Sequence, residues 1–215
     1  KVPSKKFKEI DIICNVLKKI IKKMKFFKNK ISIVQYKNND SFTKKISSAC
    51  DARVIWGGDK TVNEIRNFKL QERSVDISFA DRYSLCLINS DKLKSLDNYE
   101  MKNFVKKFYN DTYLVDQNAC SSPHLIVWTG HENKNLKKRF WNDLYTLAKK
   151  DYNLTPEASI EKYIDLCKYT IASDKIKKIH RHQNILYRVE FNKLDEKIHF
   201  YRGKWGLFFE YNINR

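Results

Sequence analysis

Glycine is scarce in this chain, with five residues in 215, and no low-complexity linker or internal repeat divides it. No apolar run approaches the roughly 18 residues of a membrane-spanning helix, and the first residues lack the apolar block of a secretory signal. Five cysteines stand at irregular spacing without a CxxC pair, so neither a disulfide framework nor a zinc site is indicated. Arginine is the minority cation, 9 of the 43 basic residues against 34 lysines. Guanidinium forks dominate the recognition of bases and phosphates. The net charge of +18 is therefore read as lysine on solvated faces rather than as a nucleic-acid surface. A non-catalytic basic module that binds nucleic acid is the competing class. What is present is enough for a core: 42% hydrophobic and 13% aromatic residues exclude wholesale disorder. A chain of this length, one large domain or two small ones, buries roughly 70% of its unfolded surface. A soluble, cytoplasmic, globular protein is expected.

The order of elements follows from periodicity. Phe7, Ile10, Ile13, Leu17, Ile20, Ile21 and Met24 form one apolar stripe at helical spacing within Lys5–Phe27. Ile31–Tyr36 reads as a strand, Phe42–Cys50 as helical, and Arg53–Trp56 as a second strand. Gly57-Gly58 turns the chain, and Asp59 is placed to cap a helix running to Phe68. Strands Val75–Phe79 and Ser84–Asn89 precede a helix from about Asn98 to Asn110. An irregular segment, Asp111–Pro123, leads into strand His124–Thr129. Helices follow from about Asn135 to Lys150 and, opened by Thr155 and Pro156, to about Ala172. Asn184–Phe191, Lys197–Arg202 and Lys204–Tyr211 read as three closing strands. Strands alternating with helices predict an α/β fold with a largely parallel sheet. With no initiating Met and no closing element after Tyr211, the sequence reads as a fragment of something longer.

Three segments could carry chemistry. In Asp116–Pro123 a cysteine, Cys120, sits between a helix and a strand among small and amide side chains, where a thiolate can be exposed beside hydrogen-bond donors. For any single cysteine an idle buried thiol is the commoner reading, and Cys14, Cys50, Cys86 and Cys167, on regular elements, suit it. Val54–Asp59 takes a strand through two glycines into a helix, a place where backbone can approach a phosphate. Asp59 opposes that reading with a negative charge. Phe79–Ser84 places polar groups between two strand-like runs, most simply a surface arrangement of Asp81 and Arg82. His180 and His182 lack a third ligand at workable spacing, so no metal is assigned.

Together, Asp51–Arg66 (DARVIWGGDKTVNEIR), Val75–Asn89 (VDISFADRYSLCLIN) and Asp116–Trp128 (DQNACSSPHLIVW) resemble the long-chain acyl-CoA reductase family, the LuxC-type reductases that make the fatty aldehyde of bacterial luminescence. That family is a branch of the aldehyde dehydrogenase superfamily. The blocks cover about a fifth of the chain, in the family's order.

The resemblance implies an aldehyde-dehydrogenase-like α/β fold, with residues 1–79 the second half of a Rossmann-type nucleotide-binding domain and 80–215 most of the catalytic domain. It implies reduction of a fatty acyl thioester to the aldehyde, with Cys120 as the nucleophile that forms an S-acyl intermediate. Trp56, Gly57 and Gly58 match the turn that passes the cofactor pyrophosphate and nicotinamide. Lys1, Pro3 and Ser4 match the strand end that meets the adenosine ribose, and Lys5, where an acid often stands, suits the 2′-phosphate of NADPH. Glu210 is aligned with a glutamate that touches the nicotinamide ribose. Ser78 falls where oxidising members carry a general-base glutamate, which a reductase discharged by hydride needs less. The superfamily's oxyanion-hole asparagine would lie upstream of Lys1. The implied partners are an acyl-CoA or acyl-protein donor, an acyl-protein synthetase and further copies of the chain, with no membrane span and no nucleic acid. A relative acting on short acyl thioesters is a further alternative.

Overall fold

The structure, a computed structural model, describes residues 1–2, 8–27, 29–37, 40–80, 82–194 and 196–213. Its contacts divide the chain into two compact units, Lys1–Asp81 and Arg82–Arg215.

In the first unit, helices α1 (Lys8–Lys23) and α2 (Asp40–Ala49) precede strand β1 (Ala52–Trp56), helix α3 (Asp59–Arg66) and strand β2 (Val75–Phe79). β1 and β2 pair in parallel, from Ala52 opposite Val75 to Trp56 opposite Phe79. Arg53 locks this unit. Its guanidinium reaches Asp76 through Nε and Nη2 at 3.2 and 2.8 Å, and Nη1 donates to the carbonyls of Ile65 and Phe68 at the end of α3. The same guanidinium holds the Asp76 carboxyl below its ordinary pKa. The alternating pleat sends Val54, Trp56, Val75, Ile77 and Phe79 outward, and all are exposed. The apolar stripe of α1 is formed as its periodicity predicts, but no residue of α1 is buried. The strand expected at Ile31–Tyr36 is not part of a ladder among the described residues, where the Val2 N–H donates to the Val34 carbonyl.

The second unit is a five-stranded sheet with helices on both faces. In chain order it has β3 (Ser84–Asn89), α4 (Ser90–Lys94), α5 (Asn98–Thr112), β4 (Pro123–Thr129), α6 (Lys134–Asp151), α7 (Pro156–Ala172), β5 (Ile176–His182), β6 (Leu186–Phe191) and β7 (Leu207–Asn212). The spatial order is β3-β4-β7-β6-β5, and only β5 runs antiparallel. The central strands β4, β6 and β7 are buried along most of their length, as parallel strands covered on both faces must be. On one face α5 and α6 pack Phe108, Phe140 and Trp141 against Ile126, Trp128 and Phe208. On the other, α7 sets Leu166 and Tyr169 over Leu125, Val189 and Phe209.

Local chemistry fixes the helix starts. Asp97 and Glu100 form a reciprocal capping box at α5, each accepting the other's backbone N–H. Thr155 caps α7 with Pro156 in the first turn, as the sequence predicts. Two terminal expectations are corrected. Lys197–Arg202 is no strand: a 3-10 turn occupies Ile198–Phe200. The antiparallel strand is β5, IKKIHRH, whose lysines and histidines suit an edge and hide its period.

Lys162 on α7 is fully buried, yet its Nζ meets three main-chain carbonyls and no carboxylate: Asn184, Ile185 at 3.2 Å and Trp205 at 2.8 Å. It ties α7 to the β5–β6 turn and to the approach to β7. Burial lowers its pKa to about 7 from 10.5. The folded state therefore holds fewer protons than the unfolded chain between those values, and stability rises as pH climbs through that window. Denaturant unfolding followed by Trp128 and Trp141 fluorescence is expected to show a gain of about 3 kcal/mol from pH 7 to 9.5, absent in Lys162→Met. A flat profile in the parent protein would refute this account.

Candidate functional site

The turn that carries Cys120 is built from unusual backbone. After α5 a 3-10 turn, Tyr113–Val115, leads to Asp116 and Gln117, both left-handed at φ 54° and 57°. For residues other than glycine this conformation costs about 1 kcal/mol or more each, so neighbours must impose it. Gln117 is almost completely buried. Its Nε2 donates to the carbonyls of Pro123 (3.3 Å) and Leu207 (3.1 Å), and its Oε1 accepts from Gly206 N–H (2.8 Å). Asp116 accepts the Tyr152 hydroxyl at 2.6 Å and, through its carbonyl, the Trp205 N–H. Burial, reinforced by that hydrogen bond to Asp116, pushes the Tyr152 hydroxyl well above the ordinary tyrosine pKa. The β6–β7 connection presses close here: a Cβ on Gly203 would fall 1.7 Å from the Leu207 carbonyl oxygen.

On this base, Ala119–Ser122 form a turn closed by Ser122 N–H to the Ala119 carbonyl at 2.9 Å. In a trans peptide the N–H points opposite to the C=O. The Ala119 carbonyl faces into the turn, so the Cys120 N–H faces out, and among the described residues no acceptor takes it. Cys120 itself is exposed, while the other four cysteines are partly buried. Burial and the charge of Asp111 raise the Cys86 thiol. The geometry thus offers one accessible thiol beside one outward N–H donor. The amide side chain of Gln117 is not one of the donors around the thiol; it holds the backbone beneath it.

In the first unit, Gly58 rather than Asp59 is the N-cap of α3, and Asp59 is the first helical residue. Gly57 N–H is taken by the Phe79 carbonyl. A side chain at Gly58 would meet nothing within 4 Å, and no side chain caps the helix, so its first N–H groups face open space. Trp56 is 77% exposed beside the Phe79 ring. Lys1 sets its Nζ 4.2 Å from the centre of the Tyr36 ring. Pro3, Ser4 and Lys5 lie outside the described residues.

Glu210 is the correction. It lies on β7 facing α6, 2% exposed, and its carboxylate is taken up by the chain itself. Oε2 accepts the indole N–H groups of Trp128 and Trp141 at 2.7 and 2.9 Å, and Oε1 pairs with Arg188 Nη1 at 2.9 Å. Arg188 in turn lies over the Trp141 ring. This carboxylate holds the core rather than facing a ribose. It forms part of the floor of a cavity of about 640 Å³ lined by Lys137, Lys177, His180, Arg188 and Glu190, at the end of β4 away from Cys120. Burial and Arg188 lower the pKa of His180 and His182 there.

A largely parallel sheet flanked by helices is an aldehyde-dehydrogenase-like fold, and solved structures of that superfamily match it. Aldehyde dehydrogenase 21 from Physcomitrella patens superposes with a TM-score of 0.56 at 11% identity, over 86% of this chain and 39% of that one. A Sinorhizobium meliloti protein described as a methylmalonate-semialdehyde dehydrogenase, solved with NAD, gives 0.53 at 10% identity, over 82% and 39%. The NAD-dependent benzaldehyde dehydrogenase of Corynebacterium glutamicum gives 0.50 at 7% identity, over 82% and 39%. This chain spans about two fifths of the length of these proteins. No curated protein matches the sequence. The profile of the acyl-CoA reductase (LuxC) family matches residues 8–198, and the chain belongs to that family.

Replacing the Glu210 carboxylate by an amide leaves the buried Arg188 without its counter-charge. Glu210→Gln is expected to destabilise the second unit by about 3 kcal/mol, measured by denaturant unfolding. Nucleotide affinity of the folded variant should be unchanged; a selective loss of that affinity with stability intact would return Glu210 to the cofactor site.

Proposed function

We propose that this chain carries the nucleophile and part of the nucleotide site of a reductase that converts a fatty acyl thioester to its aldehyde. The observation that carries the reading is the exposed Cys120 thiol on a turn whose own N–H points outward without an acceptor among the described residues. Family membership supplies the reaction class.

In this reading the Cys120 thiolate attacks the carbonyl carbon of the thioester, and the oxyanion that forms is held by the Cys120 N–H. Collapse breaks the bond to the leaving sulfur, which departs as a thiolate and takes its proton from solvent, and leaves the acyl group on Cys120 Sγ. The open N-terminus of α3 beyond Gly58 fits the phosphates of a nicotinamide nucleotide, and the exposed Trp56 offers a flat apolar surface for a ring. Asp59 is exposed in the first turn, so its carboxylate can stay in solvent. A reduced nucleotide, NADPH by the Lys5 that stands where an acid is usual, supplies the hydride when bound. The Cys120 N–H then holds the second oxyanion, whose collapse frees the aldehyde and restores the thiolate. Residues 1–79 would serve nucleotide binding and 80–215 catalysis. An acyl-CoA or acyl-protein donor, an acyl-protein synthetase and a homo-oligomer are the partners in keeping with this reading.

The test is the intact mass after incubation with a long-chain acyl-CoA. One acyl adduct is expected on the parent protein and none on Cys120→Ser, with NADPH affinity unchanged in the variant. An adduct on both proteins, or on neither, overturns the reading.

A further inference from the structure

We propose that Ser84, the first residue of β3, is a positioning residue for Cys120: its hydroxyl fixes the peptide that follows the cysteine and so sets the reactivity of the thiol. The inference rests on Cys120 being the reacting group.

Three observations converge on Ser84. First, its Oγ donates to the Cys120 carbonyl at 2.6 Å, across 36 residues of sequence. That is at the short end for an O–H···O bond. Second, the register of β3 and β4 breaks at this point. Ser84 is level with Pro123 but Leu85 with Leu125, which leaves His124 as an extra residue on β4. An unbroken register would set Ser84 opposite His124, one residue farther from Cys120. Bulges of this kind re-aim side chains and gather next to reactive sites. The extra residue is held: His124 is buried, with Nδ1 3.0 Å from the Gly203 carbonyl oxygen and its ring against Tyr83. Third, the two peptides that flank Cys120 are fixed by different partners. The preceding one is held by Ser122 N–H on the Ala119 carbonyl, inside the turn. The following one is held by Ser84 alone among the contacts of the described residues.

With both peptide planes fixed, φ and ψ of Cys120 are fixed, and with them the directions of Cβ and of the outward N–H. The Ser84 hydroxyl also engages the negative end of the Cys120 carbonyl dipole and keeps it from turning toward Sγ. Without it that peptide is free to turn, and the direction of the Cys120 side chain is no longer set. Ser84 is only half-buried and supplies one hydrogen bond to a partly exposed carbonyl that water can reach, so its loss leaves the fold in place.

The test is the pH–rate profile of Cys120 alkylation by iodoacetamide, resolved from the other cysteines by peptide mapping, in the parent protein, Ser84→Ala and Ser84→Thr. Ser84→Ala is expected to slow Cys120 alkylation across the profile about five- to tenfold, with an unchanged thermal midpoint. Ser84→Thr, which keeps the hydroxyl, is expected to restore the parent profile. An unchanged profile in Ser84→Ala overturns the proposal. So does equal slowing in both variants with a lowered thermal midpoint, the sign of general loosening. Acyl-adduct formation separates the two readings. If the parent protein takes no acyl group yet the alkylation pattern holds, the reductase reading falls and Ser84 stands. If the adduct forms and Ser84→Ala behaves as the parent, Ser84 alone falls.

Discussion

The Cys120 end of the second unit depends on one buried amide. Gln117 has no access to water, so every hydrogen bond it fails to make would be a full desolvation penalty. It avoids that by joining three strand ends at once: the start of β4 through Pro123, the start of β7 through Leu207, and the connection ahead of β7 through Gly206. Those bonds are satisfied only with Asp116 and Gln117 in left-handed backbone, which turns the chain sharply between α5 and β4. The exposed turn at Cys120 follows from that reversal. A cysteine on a regular element would be shielded by its neighbours, as the half-buried Cys86 on β3 is.

The rest of the unit repeats the device of a polar group buried on complete partners. Glu210 joins β7 to β4 through Trp128, to α6 through Trp141 and to β6 through Arg188. Lys162 joins α7 to two connections through main-chain oxygens. Apolar packing around Phe140, Trp141 and Phe208 supplies the bulk of the stabilisation but is tolerant of small slips. The directional bonds are not tolerant, and they set how the helices sit on the sheet. In the first unit Arg53 does the same, binding β1 to β2 and to the end of α3.

How much of this was legible in the sequence depended on whether the signal was local. Helix α1 announces itself by its apolar stripe and α7 by Thr155-Pro156, because caps and periodicity are properties of neighbouring residues. The α/β order and the parallel sheet follow from the alternation of such segments. The edge strand β5 did not, since a strand with one face solvated and few apolar side chains has no period to read. Lys197–Arg202 alternates like a strand yet forms a turn, because no ladder partner is left for it beside β6 and β7. At the site, Cys120 was visible as a cysteine in an irregular segment, and the Gly57-Gly58 turn as a break between strand and helix. The partners of Glu210, Trp128, Trp141 and Arg188, lie far from it in sequence and are brought to it only by folding. Gln117 and Ser84 carried no signal of their own. Their roles arise from contacts 90 and 36 residues away.

The fold accounts for a few of the chain's cations. A net +18 suggests a polyanion surface, but the cations that matter to the architecture are spent inside the protein: Arg53 on Asp76, Arg188 on Glu210, and Lys162 on carbonyls. Lys177 sits on Glu190, whose carboxyl it holds below the ordinary range against the opposing effect of burial. The cavity wall where Lys137, Lys177 and Arg188 gather also carries Glu190 and Glu210, neighbours in the β6–β7 register. Two carboxylates side by side on one face would repel, so cations around them are a structural requirement of that register. The basic cluster at that end of β4 is thus explained by the sheet, while the exposed Cys120 stands at the other end.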